Sequence, residues 1–153
     1  MNSVDVSSQS QEPPSSGKIE QFCRSVLTEL RIDGWELSVL LCDDQYIAEL
    51  NRKYRKKEGP TDVLSFSQSD NPVPEDAPLR SAGDIVISMD SLKRNAREYQ
   101  VSLESEFKRL LIHGILHLSG MDHGEFTENN DEEKKMMELQ EKLMEKFSED
   151  EIL

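Results

Sequence analysis

The stretch SLESEFKRLLIHGILHLSG, residues 102–120, determines how the rest of the chain is interpreted. Its apolar residues recur at helical spacing after Ser102, whose hydroxyl can cap a helix, and two glutamates lie in the first turn. Gly120 follows where such a helix must stop, because glycine adopts a positive φ at little cost. The stretch therefore predicts an amphipathic helix from Leu103 to about Leu118, followed by a sharp turn.

The chain has only three histidines, and all of them fall in or just after this helix: His113, His117 and His123. Residues four positions apart share one face of a helix, so the first two imidazoles lie about one turn apart on the same side. The turn at Gly120 can swing the third imidazole back toward them. Three neutral imidazoles suit a borderline-soft divalent metal, so we expect one zinc ion per chain.

The type of site follows from the residues that are available as a fourth ligand. A closed structural zinc site would need a fourth protein ligand, and Cys23 and Cys42 lie far away in apolar segments, where both are expected to be buried. We therefore favour an open, catalytic site with a water ligand. The plain alternative is that the histidines are ordinary helix-surface and loop residues, but their joint spacing beside a stop glycine favours the metal.

The spacing HxxxHxxGxxH is also that of the metzincin proteases, whose motif is HExxHxxGxxH. Gly114 stands where those proteases have the glutamate that takes a proton from the zinc-bound water. Glycine has no proton-accepting side chain, so peptide hydrolysis by that mechanism is not expected.

Outward from this helix, the pattern predicts an α+β fold, in which one small mixed sheet is packed by about five helices and the metal site lies at a helix turn, as in zinc hydrolases. Residues 1–17 are rich in serine and are expected to form a disordered tail, which leaves residues 18–153 as a single domain. The other predicted elements are helices over 18–31, 44–59, 90–100 and 127–147, and strands over 35–42, 63–66 and 83–89.

Composition limits the classes of function. The net charge is −13, which does not indicate a general nucleic-acid-binding protein, and no DNA partner is expected. No apolar run approaches the roughly 20 residues of a membrane helix, and no secretory signal is apparent, so we expect a cytoplasmic protein. A local basic run, with five Lys or Arg among residues 52–57, is the exception to this acidity.

Three motifs together resemble one family. The segment HGILHLSGMDH, residues 113–123, looks like the signature of the YbeY family of ribosomal RNA maturation endoribonucleases. The segment NRKYRKKEGPTDVLSF, residues 51–66, resembles a second block of that family, and GDIVIS, residues 83–88, resembles its central strand. The three occur in the family's order, whereas the serine-rich start and the acidic end are taken to lie outside the resemblance.

The resemblance implies a single-strand-specific, metal-dependent endoribonuclease, with zinc as the expected metal. It also implies a role in ribosome quality control and in maturation of small-subunit ribosomal RNA, especially its 3′ end. The expected partners are ribosomal RNA and the small ribosomal subunit or its assembly factors. The family's metal ligands map onto His113, His117 and His123, and its functional arginine maps onto Arg55.

The chemistry is consistent with this assignment but leaves alternatives open. Arginine can donate two hydrogen bonds to the charge that develops on a phosphate, which suits Arg55. The nucleophile can be water or the neighbouring 2′-hydroxyl. Asp84 or Asp122 can orient a ligating imidazole, although ordinary structural roles are the simpler interpretation. Another zinc-dependent hydrolase such as a peptidase, or a ribosome-assembly binding protein with a mainly structural metal, remains an alternative function.

Overall fold

The computed structural model describes residues 1–9, 16–67, 80–120 and 131–153. These residues contain a four-stranded sheet, five α-helices and one π-helical turn. In chain order the elements are β1 (Ser3–Ser8), α1 (Ser16–Glu29), β2 (Trp35–Cys42), α2 (Asp44–Leu50), the π-turn (Asn51–Arg55), β3 (Val63–Ser67), β4 (Arg80–Ser88), α3 (Met89–Glu98), α4 (Leu103–Leu118) and α5 (Asp131–Lys146).

The sheet is mixed, with strand order β1-β2-β4-β3. β2 pairs in parallel with both β1 and β4, while β3 runs antiparallel to β4 at one edge. Helix α1 connects the parallel strands β1 and β2, as parallel neighbours require a crossover connection. This is the mixed sheet with about five helices that the sequence predicted.

The two faces of the sheet are covered to different extents. One face packs against α1, α4 and α5 and forms the main core, in which Phe22, Phe107 and Leu111 are almost fully buried. The other face carries a smaller cluster around Ile47 and Val86, which α2 and the π-turn cover among the described residues. Helix α4, which carries two of the histidines, therefore lies on the face that forms the main core.

Helix α4 begins and ends as its sequence predicts. The Ser102 hydroxyl accepts a hydrogen bond from the backbone N–H of Ser105 at 3.0 Å, and Gly120 has φ +92°. The helix packs closely on β4, because a Cβ added at Gly114 would lie 2.9 Å from the Cδ1 atom of Ile85. The spacing of α4 on the sheet thus depends on a glycine between its two histidines.

The expected disordered tail is wrong for much of residues 1–17. Ser3–Ser8 form strand β1, and α1 already begins at Ser16. Val4 is buried under the helices, and the Asn2 side chain bonds the backbone of Ile32 and Trp35, which fixes the start of the strand. Low apolar content concealed this strand, because its stability comes from pairing with β2, more than 30 residues away.

The other strand and helix predictions are confirmed to within a few residues, with one difference in capping and one in length. The sequence offers Asp90 as the cap of α3, but Ser88 caps its first turn, and α2 is only seven residues long before it passes into the π-turn. The expected start of the last helix at Thr127 lies outside the described residues. No helix in the described part of the chain is both long and apolar enough to cross a bilayer.

Candidate metal centre and catalytic cleft

His113 and His117 bring their Nε2 atoms to one point. The two atoms are 2.8 Å apart, the ring centroids are 4.3 Å apart, and both side chains are half-buried. Their spacing of four residues on α4 accounts for the shared face. The structure therefore brings together two of the three histidines that the sequence selected.

Gln140 holds the first of these rings in place. Its side chain is buried, with 2% exposed, and its Oε1 atom lies 3.0 Å from Nδ1 of His113. An amide oxygen accepts, so a hydrogen bond at this contact requires Nδ1–H of His113, which is the tautomer whose Nε2 atom carries the lone pair that a metal binds. The second helix, α5, thus orients the His113 ring and favours the tautomer that a metal ligand needs.

The geometry of the pair fits a tetrahedral zinc site. With Zn–N bonds of about 2.05 Å, two tetrahedral ligands have nitrogen atoms about 3.3 Å apart. The observed separation of 2.8 Å would need to open by only about half an ångström, within the reach of small ring rotations. The donor set and the buried amide behind it therefore fit a metal of this kind.

The third expected ligand, His123, lies outside the described residues, as does Asp122. Within residues 1–9, 16–67, 80–120 and 131–153, no group of three or more metal-ligating side chains is assembled. The two-histidine pair on α4 is accordingly the part of the predicted site that the structure defines. His123 stays a prediction.

Arg55, which the sequence predicts to be catalytic, lines the same cleft as the histidine pair. It is the last residue of the π-turn, and its Nη2 atom donates to the backbone oxygen of Ser65 at 2.8 Å across the outer edge of β3. Lys56 follows with φ +55°, which ends the turn. Short π-helical segments often occur at functional sites, and this one brings an exposed guanidinium to the cleft.

Arg55 and the two histidines line one cleft of about 210 Å³. Its floor and walls come from strand β3 and from the end of α4. The remaining lining residues are Val63, Leu64, Ser65, Ser67 and Leu118. A cleft that combines paired imidazoles with a guanidinium can hold a phosphate between a cation and a metal.

The structure gives other roles to Asp84, which the sequence suggests as a partner for a histidine ring, and to Asp62. Asp84 points to the opposite face of the sheet, where it lines a second cavity with Phe66, so it does not lie beside the histidines. Asp62 accepts a hydrogen bond from the Asn95 side chain at 3.0 Å, and its backbone oxygen accepts from Ser88. These two contacts give Asp62 a structural role.

Gln140 was missed by sequence reasoning, although the chain holds a signal for it. Met136, Gln140 and Leu143 occupy one helical stripe, and each of these side chains is about 2% exposed. A glutamine inside an apolar stripe must have a hydrogen-bond partner, because an unpaired buried amide is costly. The signal indicates that a partner exists but does not identify it as His113.

Comparisons with known proteins identify the family of this chain. The family model described as endoribonuclease YbeY matches residues 4–148. The chain is 46% identical to an endoribonuclease YbeY of Treponema denticola, over 99% of this chain and 97% of that protein. It is 47% identical to the endoribonuclease YbeY of Aquifex aeolicus, over 86% of this chain and 83% of that one.

The fold also matches a solved structure. The solution structure of TM1509 from Thermotoga maritima aligns with a TM-score of 0.62 and 30% sequence identity, over 97% of this chain and 91% of that protein. The matches extend to the first residues and into the acidic end, so the expectation that both ends lie outside the resemblance is wrong.

Proposed function

This chain belongs to the YbeY endoribonuclease family, and we propose that it is a zinc-dependent, single-strand-specific endoribonuclease that matures ribosomal RNA. Membership supports an endoribonuclease role with RNA as the substrate. The zinc, the ribosomal substrate and the residue roles are our proposals. The observation that carries them is the convergence of two Nε2 atoms, 2.8 Å apart, in the same cleft as Arg55.

His113, His117 and His123 would hold the metal, with Gln140 fixing the ring of His113. A bound zinc ion supplies Lewis acidity toward a phosphoryl oxygen and lowers the pKa of a coordinated water to about 7. The buried amide of Gln140 keeps Nδ1 of His113 occupied as a donor, which directs the Nε2 lone pair of that ring into the cleft.

Arg55 would bind the scissile phosphate. Its guanidinium already donates one hydrogen bond to the Ser65 carbonyl, and it has further N–H groups for a phosphate oxygen. Arginine is permanently charged and its planar donors match phosphate geometry, so it favours the charge that develops in the transition state. The backbone bond holds the guanidinium at the cleft before substrate arrives.

The exposed bases around Arg55 give the acidic chain a local surface for RNA. Arg52, Lys53, Lys56 and Lys57 are all exposed at the end of the π-turn. Phosphate binding depends on the local field more than on the net charge of the protein, and it weakens as salt rises. We assign this surface to binding of the RNA strand that enters the cleft. The proposed substrate is a cytoplasmic ribosomal RNA, cleaved near the 3′ end of the small-subunit RNA.

Peptide hydrolysis is the weaker function for this site. The metzincin glutamate position is Gly114, and even a single added Cβ there would lie 2.9 Å from Ile85. The helix is packed so closely on β4 that a glutamate at this position would collide with the strand before it reached a metal-bound water.

The proposal is tested with the full chain loaded with zinc and incubated with a labelled single-stranded RNA and with its fully paired duplex. We expect cleavage of the single strand only, loss of cleavage with a chelator and its return with added zinc. His117→Ala should lose bound zinc and cleavage together. Equal cleavage by the metal-free protein, or by a highly purified His117→Ala variant, would contradict the proposal.

The ribosomal part needs a cellular measurement. Depletion of the protein should accumulate small-subunit RNA with an extended 3′ end, which the wild-type gene should restore and the His117→Ala gene should not. Normal 3′ ends in depleted cells would overturn the ribosomal assignment and leave the nuclease activity to be judged by the first experiment.

A further inference from the structure

A second cavity, of about 460 Å³, lies on the opposite face of the sheet from the histidines. Its floor is a row of side chains that crosses all four strands, since Asp5 pairs with Ser38, Ser38 with Asp84, and Asp84 with Phe66. Its volume falls in the range of small-molecule sites, which combine apolar walls with a few polar groups. The walls are formed by Tyr46, Leu50 and Tyr54.

Two aromatic rings stand at one end of this cavity. The rings of Tyr54 and Phe66 are 5.4 Å apart at an interplanar angle of 68°, and Tyr54 is 57% exposed. A large aromatic side chain left this exposed presents a flat surface on which a nucleobase can stack.

The two cavities share one edge of the sheet. Ser65 lines the histidine cleft and Phe66 the second cavity, because successive side chains of a strand point to opposite faces. Likewise Arg55 lines the first cavity and its neighbour Tyr54 the second. The Arg55 guanidinium lies 5.9 Å from the Phe66 ring centroid, so it stands at the boundary between the cavities.

We propose that the second cavity binds a guanine base of the RNA substrate, next to the phosphate held at Arg55. This inference rests on the proposed function. The Watson–Crick edge of guanine presents two adjacent N–H donors, which one carboxylate can accept side by side. Asp84 supplies that carboxylate, directly beside Phe66 in the strand register, and Tyr54 with Phe66 supplies the stacking surface.

The charges around the cavity favour a nucleotide over a basic peptide. The rim carries cations, with Lys53 Nζ 5.3 Å from the Tyr54 ring centroid and Arg55 beside Phe66. A lysine-rich or arginine-rich segment would meet these cations before it reached the aspartates. A nucleotide matches both the cationic rim and the acidic floor of the cavity. Its phosphates contact the cations on the rim, and its base donates hydrogen bonds to a carboxylate on the floor.

The first test measures nucleotide binding by the full, metal-free chain, so that it does not depend on cleavage. In an NMR titration, guanosine 5′-monophosphate should bind about tenfold more tightly than the adenosine or inosine analogue, and should shift the amide signals of Phe66 and Asp84. Asp84→Asn should remove the preference for guanine. The control is Glu36→Gln, which removes a carboxylate from an exposed position on β2 and should keep the preference. Equal binding of the three nucleotides, or binding of an arginine-rich peptide in their place, would overturn the proposal.

The second test measures cleavage with short RNAs that differ at one base beside the cleaved bond. Replacing guanine with inosine should lower kcat/KM about tenfold in the wild type, whereas 7-deazaguanine, which keeps both donors, should leave it unchanged. Tyr54→Leu should weaken binding of all bases about equally, since it removes stacking and retains Asp84. Cleavage with no base preference would overturn the proposed guanine site but would support the proposed endoribonuclease function. Absence of cleavage would count only against the proposed endoribonuclease function.

Discussion

Gln140 and His113 face each other from two different helices, with the amide oxygen 3.0 Å from Nδ1 of the imidazole. The amide is buried and the imidazole half-buried, so the contact orients the ring and favours the tautomer with a proton on Nδ1. The candidate site thus depends on α5 as well as on the helix that carries the histidines.

Replacing Gln140 should therefore change metal binding. Gln140→Leu is expected to lower zinc affinity about 10- to 100-fold, because the His113 ring loses its orienting acceptor. Gln140→Glu should keep or raise the affinity, since a carboxylate accepts the same bond more strongly. Competition titration with a zinc chelator measures both, with Glu141→Gln, an exposed change on the same helix, as the control. Equal zinc affinity in Gln140→Leu would show that the contact does not serve the metal.

Arg55 should affect RNA cleavage without affecting the metal. Arg55→Ala is expected to lower kcat about 100- to 1,000-fold, as removal of a preorganised donor to developing charge does. Zinc content should stay at the wild-type level, and Arg55→Lys should recover little, because lysine lacks the planar pair of donors. Lys57→Ala, in the same exposed basic run, is the control and should cost only a few-fold. Loss of zinc from Arg55→Ala would place that residue in a structural role.

Gly114 explains why the protease motif is incomplete here. Its position against Ile85 leaves no room for a side chain, so Gly114→Glu should melt at a clearly lower temperature, with a loss of several kcal/mol from overpacking and burial of a charge. It should gain no peptidase activity. A Gly114→Glu protein with the wild-type melting temperature and zinc-dependent cleavage of a casein substrate would contradict this interpretation.

Asp44 gives a prediction on pH and stability. Partial burial disfavours its charged form, but hydrogen bonds from Arg94, Ser91 and Ser88 outweigh this and lower its pKa to about 2. A lowered pKa stabilises the fold above the unfolded-state value near 4, and that contribution disappears as the pH falls through about 2. After allowance for solvent screening, it is on the order of 1 kcal/mol at neutral pH.

Urea unfolding of Asp44→Asn at several pH values checks this. The variant should be less stable than the wild type at pH 7, and the difference should shrink as the pH falls from 4 to 2. Asp43→Asn is the neighbouring control, because among the described contacts the Asp43 side chain serves only as the N-cap of α2. A constant difference between Asp44→Asn and the wild type from pH 7 to 2 would rule out the ionised hydrogen-bonded carboxylate as its source.

The sequence predicts best what is local and periodic. The two ends of α4 could be predicted from Ser102, which caps the helix, and from Gly120, which has a positive φ in the structure. The strand Trp35–Cys42 could be predicted from its apolar pattern. The pairing of His113 with His117 follows from the same helical period. These features depend on residues close together in the chain, so they could be inferred without a structure.

What could not be predicted depends on contacts between distant segments. Strand β1 has few apolar residues and is held by β2, so its composition resembles that of a disordered segment. The face on which Asp84 lies depends on strand register, and the bond from Gln140 to His113 spans 27 positions. A pattern can show that a buried glutamine needs a partner, but the packing of α5 on α4 decides which partner it has.

The most direct measurement is diffraction from crystals of the zinc-loaded protein at the zinc absorption edge. We predict one anomalous peak per chain, about 2.0–2.1 Å from Nε2 of His113 and His117 and from a nitrogen of His123, with a fourth position held by water. A peak elsewhere, no peak at this cleft, or a site completed by a fourth protein ligand would contradict the open catalytic metal centre.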